Sequence, residues 1–123
     1  MRMLLDTHCW LWALHSPERL NPQIRALIEA PETTVYISAA SAWEISIKTG
    51  LGKLRLPGDV DEYFLSRMKQ GRFTELPISI RHATHVSKLP ELHRDPFDRL
   101  LIAQALCEEL PLVTADREIA RYF

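Results

Sequence analysis

The chain has 123 residues, of which 46% are hydrophobic and 25% charged, with a formal net charge of −1. That length and composition suit one globular domain over residues 1–123 with a single core. Near-neutral charge excludes a protein that coats nucleic acid through phosphate contacts, so any nucleic-acid chemistry must use a local patch, a metal ion or both.

No apolar run approaches the ~20 residues of a membrane span. Met1–Asp6 is too short and too soon interrupted for a signal peptide, so a cytoplasmic protein without membrane contact is expected. Cys9 and Cys107 each lie in an apolar stretch and read as buried structural thiols.

In chain order, Arg2 to Asp6 reads as a short buried strand and His8 to His15 as a helix stopped near Ser16-Pro17. Asn21-Pro22 starts the next helix, with Asn as cap and Pro at the first helical position. Its apolar face is Ile24, Leu27 and Ile28, and Pro31 closes it. Thr34 to Ser38, β-branched and aromatic, is a second strand. Ala40, Trp43, Ile47 and Leu51 follow at helical spacing, with Gly50 and Gly52 at the end. Leu54 to Pro57 is a linker, and Asp59 to Gln70 a helix ended by Gly71. Thr74 to Ser79 is a third strand that Pro77 weakens or places at an edge. Arg81 to Leu89 reads as helix and Pro90 to Arg94 as loop. Asp95-Pro96 starts the clearest helix, apolar over much of its circumference and so well buried. Pro111 to Ala115 is a fourth strand, with Asp116 directly after it. Strands alternating with helices imply an α/β fold whose mostly parallel sheet is covered on both faces.

In such a sheet, ligands bind beyond the carboxyl ends of the strands. Asp6 and Asp116 stand at two of those ends. Glu44 lies at the border of an apolar helix face, an odd place for an idle carboxylate. The competing reading is a surface ion pair with Lys48 at i, i+4, worth about 0.2–0.5 kcal/mol. Asp95 is a helix cap by type and position. Asp98, at the third helical position, suits the helix dipole but belongs to a helix that must pack on the sheet. Carboxylates gathered in one crevice repel each other unless a cation lies among them. Oxygen ligands favour Mg²⁺, or Mn²⁺, whose chemistry suits phosphodiester hydrolysis.

Other motifs are weaker. No phosphate-binding glycine loop is present. His82 and His85 at i, i+3, with His93 nearby, lack the further ligand that a zinc site needs. Thr7 and Thr114 flank the strand-end acids and are candidates for orienting a ligand or a water. Lys48, Arg94, Arg99 and Arg117 are the cations nearest the crevice, candidates for RNA phosphates. No aromatic–basic interleaving stands out, and Trp10, Trp12 and Trp43 read as core or partner surface.

Four segments in this order resemble the PIN domain family, and within it the VapC toxins of type II toxin–antitoxin systems. They are Leu4-Leu5-Asp6-Thr7-His8, Ser41 to Lys48 (SAWEISIK), Asp95 to Ala105 (DPFDRLLIAQA) and Leu112-Val113-Thr114-Ala115-Asp116. The resemblance implies a three-layer fold with a mostly parallel sheet of four or five strands flanked by helices. It implies Mg²⁺-dependent endonucleolytic cleavage of RNA. Asp6, Glu44 and Asp98 match the three core acids, Asp116 the fourth, and Thr114 the hydroxyl beside it. Asp6 and Asp98 are expected to bind metal directly, and Glu44 and Asp116 to complete the shell or position the attacking water. A homodimer and a small VapB-like antitoxin covering the site are further implications. The rival readings are a structure-specific DNA nuclease and a catalytically inactive PIN scaffold. A receiver-like signalling module would want an acidic pair after its first strand and a lysine after its last, and neither is present. The seven residues after Asp116 make the end slightly short for the group.

Overall fold

The computed structural model describes residues 1–123. Four strands, β1 (Arg2–Leu5), β2 (Thr34–Ser38), β3 (Thr74–Leu76) and β4 (Leu112–Val113), form one sheet in the order β3-β2-β1-β4. Every neighbouring pair is parallel, with Leu5 opposite Ile37 on one side and Val113 on the other. Seven α-helices surround it: α1 (Thr7–His15), α2 (Pro22–Glu29), α3 (Ala39–Gly50), α4 (Val60–Gln70), α5 (Ile80–His85), α6 (Pro96–Glu108) and α7 (Arg117–Ala120).

β1 is apolar at consecutive positions because both its faces are covered. Met3 and Leu5 pack with Trp10, Val35, Ile37, Ile45 and Tyr63, while Leu4 packs on the other face with Leu101, Ala105 and Leu110. Each such fully buried side chain contributes roughly 1.5–3 kcal/mol. The helix caps follow the sequence. Asn21 Oδ1 accepts the Gln23 and Ile24 N–H groups, and Asp95 Oδ1 those of Phe97 and Asp98. Cys9 is buried in the first core face, whereas Cys107 is only half-buried, and both thiols are free.

Several expected boundaries move. β3 ends at Leu76, just before Pro77, and is an edge strand. The Arg81–Leu89 segment divides into α5 and a 3-10 turn, Val86–Lys88. β4 covers Leu112–Val113 and not Pro111–Ala115. Asp116 therefore does not follow the strand directly. Past Val113 the chain turns, with the Thr114 hydroxyl bonded to Asp6 and to the Asp116 N–H, and Asp116 caps a short helix, α7, that the periodicity did not announce.

A buried polar network ties β2, α5 and α6 together. The Ser38 hydroxyl donates to Gln104 Oε1, and Gln104 Nε2 donates to the Pro77 carbonyl at 3.2 Å. His82 closes a capping box with Ser79. Its Nδ1 accepts the Ser79 N–H at 3.0 Å and its Nε2 meets Glu108 Oε1 at 2.9 Å. No buried side-chain polar atom of this network lacks a partner, as buried groups require.

Strand order fixes where a crevice opens. The chain steps outward from β1 to β2 and β3, then returns to the other side of β1 as β4. The reversal lies between β1 and β4, and its carboxyl edge is the topological switch point where open parallel sheets bind ligands.

Candidate active site

Asp6 is the first residue past β1 and the N-cap of α1. Its Oδ1 accepts the Cys9 N–H at 2.8 Å, and its Oδ2 accepts the Thr114 hydroxyl proton at 2.6 Å. Thr114 Oγ1 also accepts the Asp116 N–H at 2.9 Å. One hydroxyl thus fixes the carboxylate after β1 and the backbone after β4. Cys9, next to this carboxylate, stays a thiol, because burial and then the Asp6 charge push its pKa up to about 12.

Glu44 projects from α3 and is buried with Asp6. Thr7 Oγ1 lies 2.8 Å from Glu44 Oε1 and 2.9 Å from Ser41 Oγ. A carboxylate only accepts, so the single Thr7 proton goes to Glu44 and Ser41 donates to Thr7. Lys48 Nζ donates to Glu44 Oε2 at 2.7 Å. The i, i+4 pair therefore forms, but with the carboxylate buried and only the lysine reaching solvent, its side chain 40% exposed.

Asp98 enters from the first turn of α6, its side chain 19% exposed. Its carboxyl is raised from an ordinary 3.8 to about 7, first by burial and then by the charges of Asp95, Glu44 and Asp6, with His93 opposing them. The neighbourhood holds more negative charge than its own cations neutralise. Asp116 is the outermost acid, its side chain 41% exposed. Burial raises its pKa, but the Glu118 N–H and His93 outweigh that and leave it lowered.

His93 joins these last two acids. Its Nε2 lies 3.1 Å from Asp98 Oδ2 and 3.4 Å from Asp116 Oδ2. The donor atoms of His93, Asp98 and Asp116 all fall within 4.8 Å of one another. Its Nδ1 accepts the Asp95 N–H at 3.1 Å, so the ring proton resides on Nε2. An Nε2–H donates to carboxylates and has no lone pair for a metal. His93 thus serves as a donor between two acids, and oxygen ligands remain the donor set. That set, with its excess negative charge, fits a hard divalent cation.

All four acids singled out in the sequence lie at this edge, and Thr7 and Thr114 hydrogen-bond to Glu44 and Asp6. Asp95 caps α6, as its position implied. Arg99 is turned to a different task. Its guanidinium donates to the carbonyls of Pro90, His93 and Val86 and to the Tyr122 hydroxyl, holding the loop that carries His93. Sequence reasoning weighed His93 only beside His82 and His85 for zinc. Its proximity to the Asp95-Pro96 cap was the available signal.

A family model for the PIN domain matches residues 3–122. The chain belongs to the PIN domain family. Ribonuclease VapC16 of Mycobacterium tuberculosis is 35% identical over 63 residues, 51% of this chain and 45% of that protein. The match therefore spans less than half the length of that relative. The fold is also that of a chain in the crystal structure of VapBC2 from Rickettsia felis bound to a DNA fragment from their promoter. That likeness has a TM-score of 0.71 at 19% identity, over 99% of this chain and 93% of the other. FitAcB from Neisseria gonorrhoeae gives a TM-score of 0.56 at 21% identity, over 97% and 90% of the two chains. In this PIN domain the matched segments contain every acid described above.

Proposed function

We propose that residues 1–123 act as a single PIN domain that hydrolyses RNA endonucleolytically in the presence of Mg²⁺, with Mn²⁺ as a substitute. The biological role is that of a VapC-like toxin in the cytoplasm, a homodimer neutralised by a cognate VapB-like antitoxin. The observation that carries the catalytic reading is the convergence of Asp6, Glu44 and Asp98, close enough that their charges raise Asp98, at the switch point of a parallel sheet. The partial identity to a protein named as a ribonuclease and the fold shared with a VapBC2 chain support substrate and partner.

Asp6 and Asp98, with Asp116, would hold the ion. When bound, it supplies Lewis-acid polarisation of the phosphoryl oxygens. The protein's own residues fix the geometry. Thr114 and the Cys9 N–H prevent the Asp6 carboxylate from turning. Thr7 and Lys48 hold Glu44, whose acceptor oxygens orient the attacking water. The exposed Arg94 and Arg117, chain neighbours of His93 and Asp116, are placed to meet RNA phosphates.

The test is cleavage of matched RNA and DNA strands with Mg²⁺ and with EDTA, using wild type and Asp6→Asn. Asparagine keeps the Oδ1 acceptor of the α1 cap, so the fold survives. RNA cleavage should require the metal and fall at least about 10²–10³-fold in the variant. Calorimetry should detect Mg²⁺ or Mn²⁺ binding to the wild type. Selective DNA cleavage would favour the structure-specific DNA nuclease. A wild type that neither binds metal nor cuts either strand would be an inactive scaffold.

A further inference from the structure

Trp43 is 59% exposed, on the solvent side of α3, immediately before the buried Glu44. Its ring meets Phe97 with centroids 5.2 Å apart and planes at 76°. Phe97 immediately precedes Asp98 on α6. Each member of this aromatic pair is therefore the chain neighbour of one acid. The T-shaped contact joins the two acid-bearing helices at the level of the carboxylates. Such a contact restrains the indole without stacking over it, and the exposure shows that much of the ring stays open. A large, restrained, open aromatic surface at the rim of a phosphodiester site has the properties of a base-stacking platform.

The charge distribution strengthens this reading. Lys48 is bound to Glu44 and Arg99 to loop carbonyls. The exposed Arg94 and Arg117 neighbour His93 and Asp116 in the chain, not the aromatic pair. Neither ring of the Trp43–Phe97 pair carries a stacked cation, so a strand beside Trp43 calls for a contact of another kind. Stacking meets that need, because every base has a π-face and the contact is insensitive to salt in a way that phosphate contacts are not.

We propose that Trp43, held by Phe97, is the platform on which one base of single-stranded RNA stacks beside the scissile phosphodiester. This rests on the reading of the acids as a ribonuclease site. Exposed Ile47 on α3 and Leu51 just past its end continue the stripe at four-residue spacing and would suit a rival occupant, a second copy of this chain. Trp43 is the member of the three that makes an aromatic contact with the acid-bearing α6.

The test titrates wild type, Trp43→Phe and Trp43→Ala with oligoadenylate of about ten nucleotides, within the span of single-strand sites. Tryptophan emission and anisotropy are read at low and high salt, with molar mass followed by light scattering. In the wild type, RNA should quench tryptophan emission. Trp43→Phe should abolish the quench, since Trp10 is buried and Trp12 part-buried, while keeping most of the affinity. Trp43→Ala should weaken binding about 5- to 100-fold, by the same factor at both salt concentrations and with unchanged mass. Quenching that survives in Trp43→Phe, or affinity unchanged in Trp43→Ala, overturns the platform. So does a loss that accompanies dissociation of a dimer, which would assign the face to self-association. Wild type that quenches on RNA but leaves it intact in Mg²⁺ upholds the platform and defeats the ribonuclease reading. Trp43→Ala that cleaves at the wild-type kcat/KM without a quench does the reverse. Wild type that neither quenches nor cleaves defeats both.

Discussion

His82 and His93 are built alike and serve unlike ends. Each ring accepts a backbone N–H at Nδ1, from Ser79 at 3.0 Å and Asp95 at 3.1 Å. Each turns Nε2 toward carboxylate, His82 to Glu108 at 2.9 Å and His93 to Asp98 and Asp116 at 3.1 and 3.4 Å. The partners differ. His82 faces a single, part-exposed acid, whose pKa is lowered chiefly by that hydrogen bond. His93 faces two acids, with Asp6 and Glu44 behind them, and Asp98 is raised to about 7 despite it. A network whose groups are all matched is architecture. One with surplus acceptors and charge is poised for a ligand. The difference is one of stoichiometry, invisible in either histidine alone.

The strongest way to break this comparison is to neutralise one acid from each cluster. Asp98→Asn should lower RNA cleavage by about 10²–10³-fold or more while raising the melting temperature without metal, because repulsion is relieved. Glu108→Gln should leave cleavage intact. The pH dependences should have opposite signs. Between its ordinary 3.8 and about 7, folded Asp98 holds a proton that the unfolded chain has lost. Its contribution thus makes the metal-free protein less stable as pH rises through that window. Metal affinity should fall as pH drops below about 7, since the proton must leave first. Glu108, lowered from 4.5, contributes stability above that value and loses it as pH falls through its lower folded pKa. Metal-free melts from acid to neutral pH, read beside calorimetric Mg²⁺ titrations, check both. A flat Mg²⁺ affinity across that range would refute the charge-surplus account.

Exchanging the histidines for alanine sharpens the comparison further. His93→Ala should cost about 10–100-fold in activity, the usual range for a group orienting metal ligands, with little change in stability. His82→Ala should do the opposite, costing about 1–3 kcal/mol as buried partners lose their hydrogen bonds. Thr114→Val should reduce cleavage by about 10-fold or somewhat more, by freeing Asp6, measurable as kcat in saturating Mg²⁺. At the small end, Asn21→Ala should cost about 1 kcal/mol in urea unfolding and leave cleavage unchanged.

The legible parts of the molecule were those written in local pattern. Consecutive apolar residues at Met3–Leu5, the Asn21-Pro22 and Asp95-Pro96 caps and the helical spacing in α3 and α6 carry their own structure. Asp6 and Asp116 were legible from their place at expected strand ends, whereas Glu44 and Asp98, each with a plain surface or dipole role open to it, became legible through the resemblance to the PIN domain family. What escaped depends on contacts between distant segments. β4 stops two residues short of expectation, Thr114 bonds Asp6, and Asp116 becomes the cap of α7. Arg99 was drawn to the carbonyls of Pro90 and His93, a need set by the loop's path. His93 entered the site because that same loop folds back over α6. No periodicity encodes any of these.

The Thr114 hydroxyl joins residues 108 positions apart in the chain. Closing so long a span is among the slower events in folding, because its entropy is lost before its contacts are gained. Until β4 settles against β1, the acids are scattered along an open chain and no catalytic centre exists. Under the ribonuclease reading proposed above, a partly unfolded chain is inert, and the site comes into being only when β4 docks on β1.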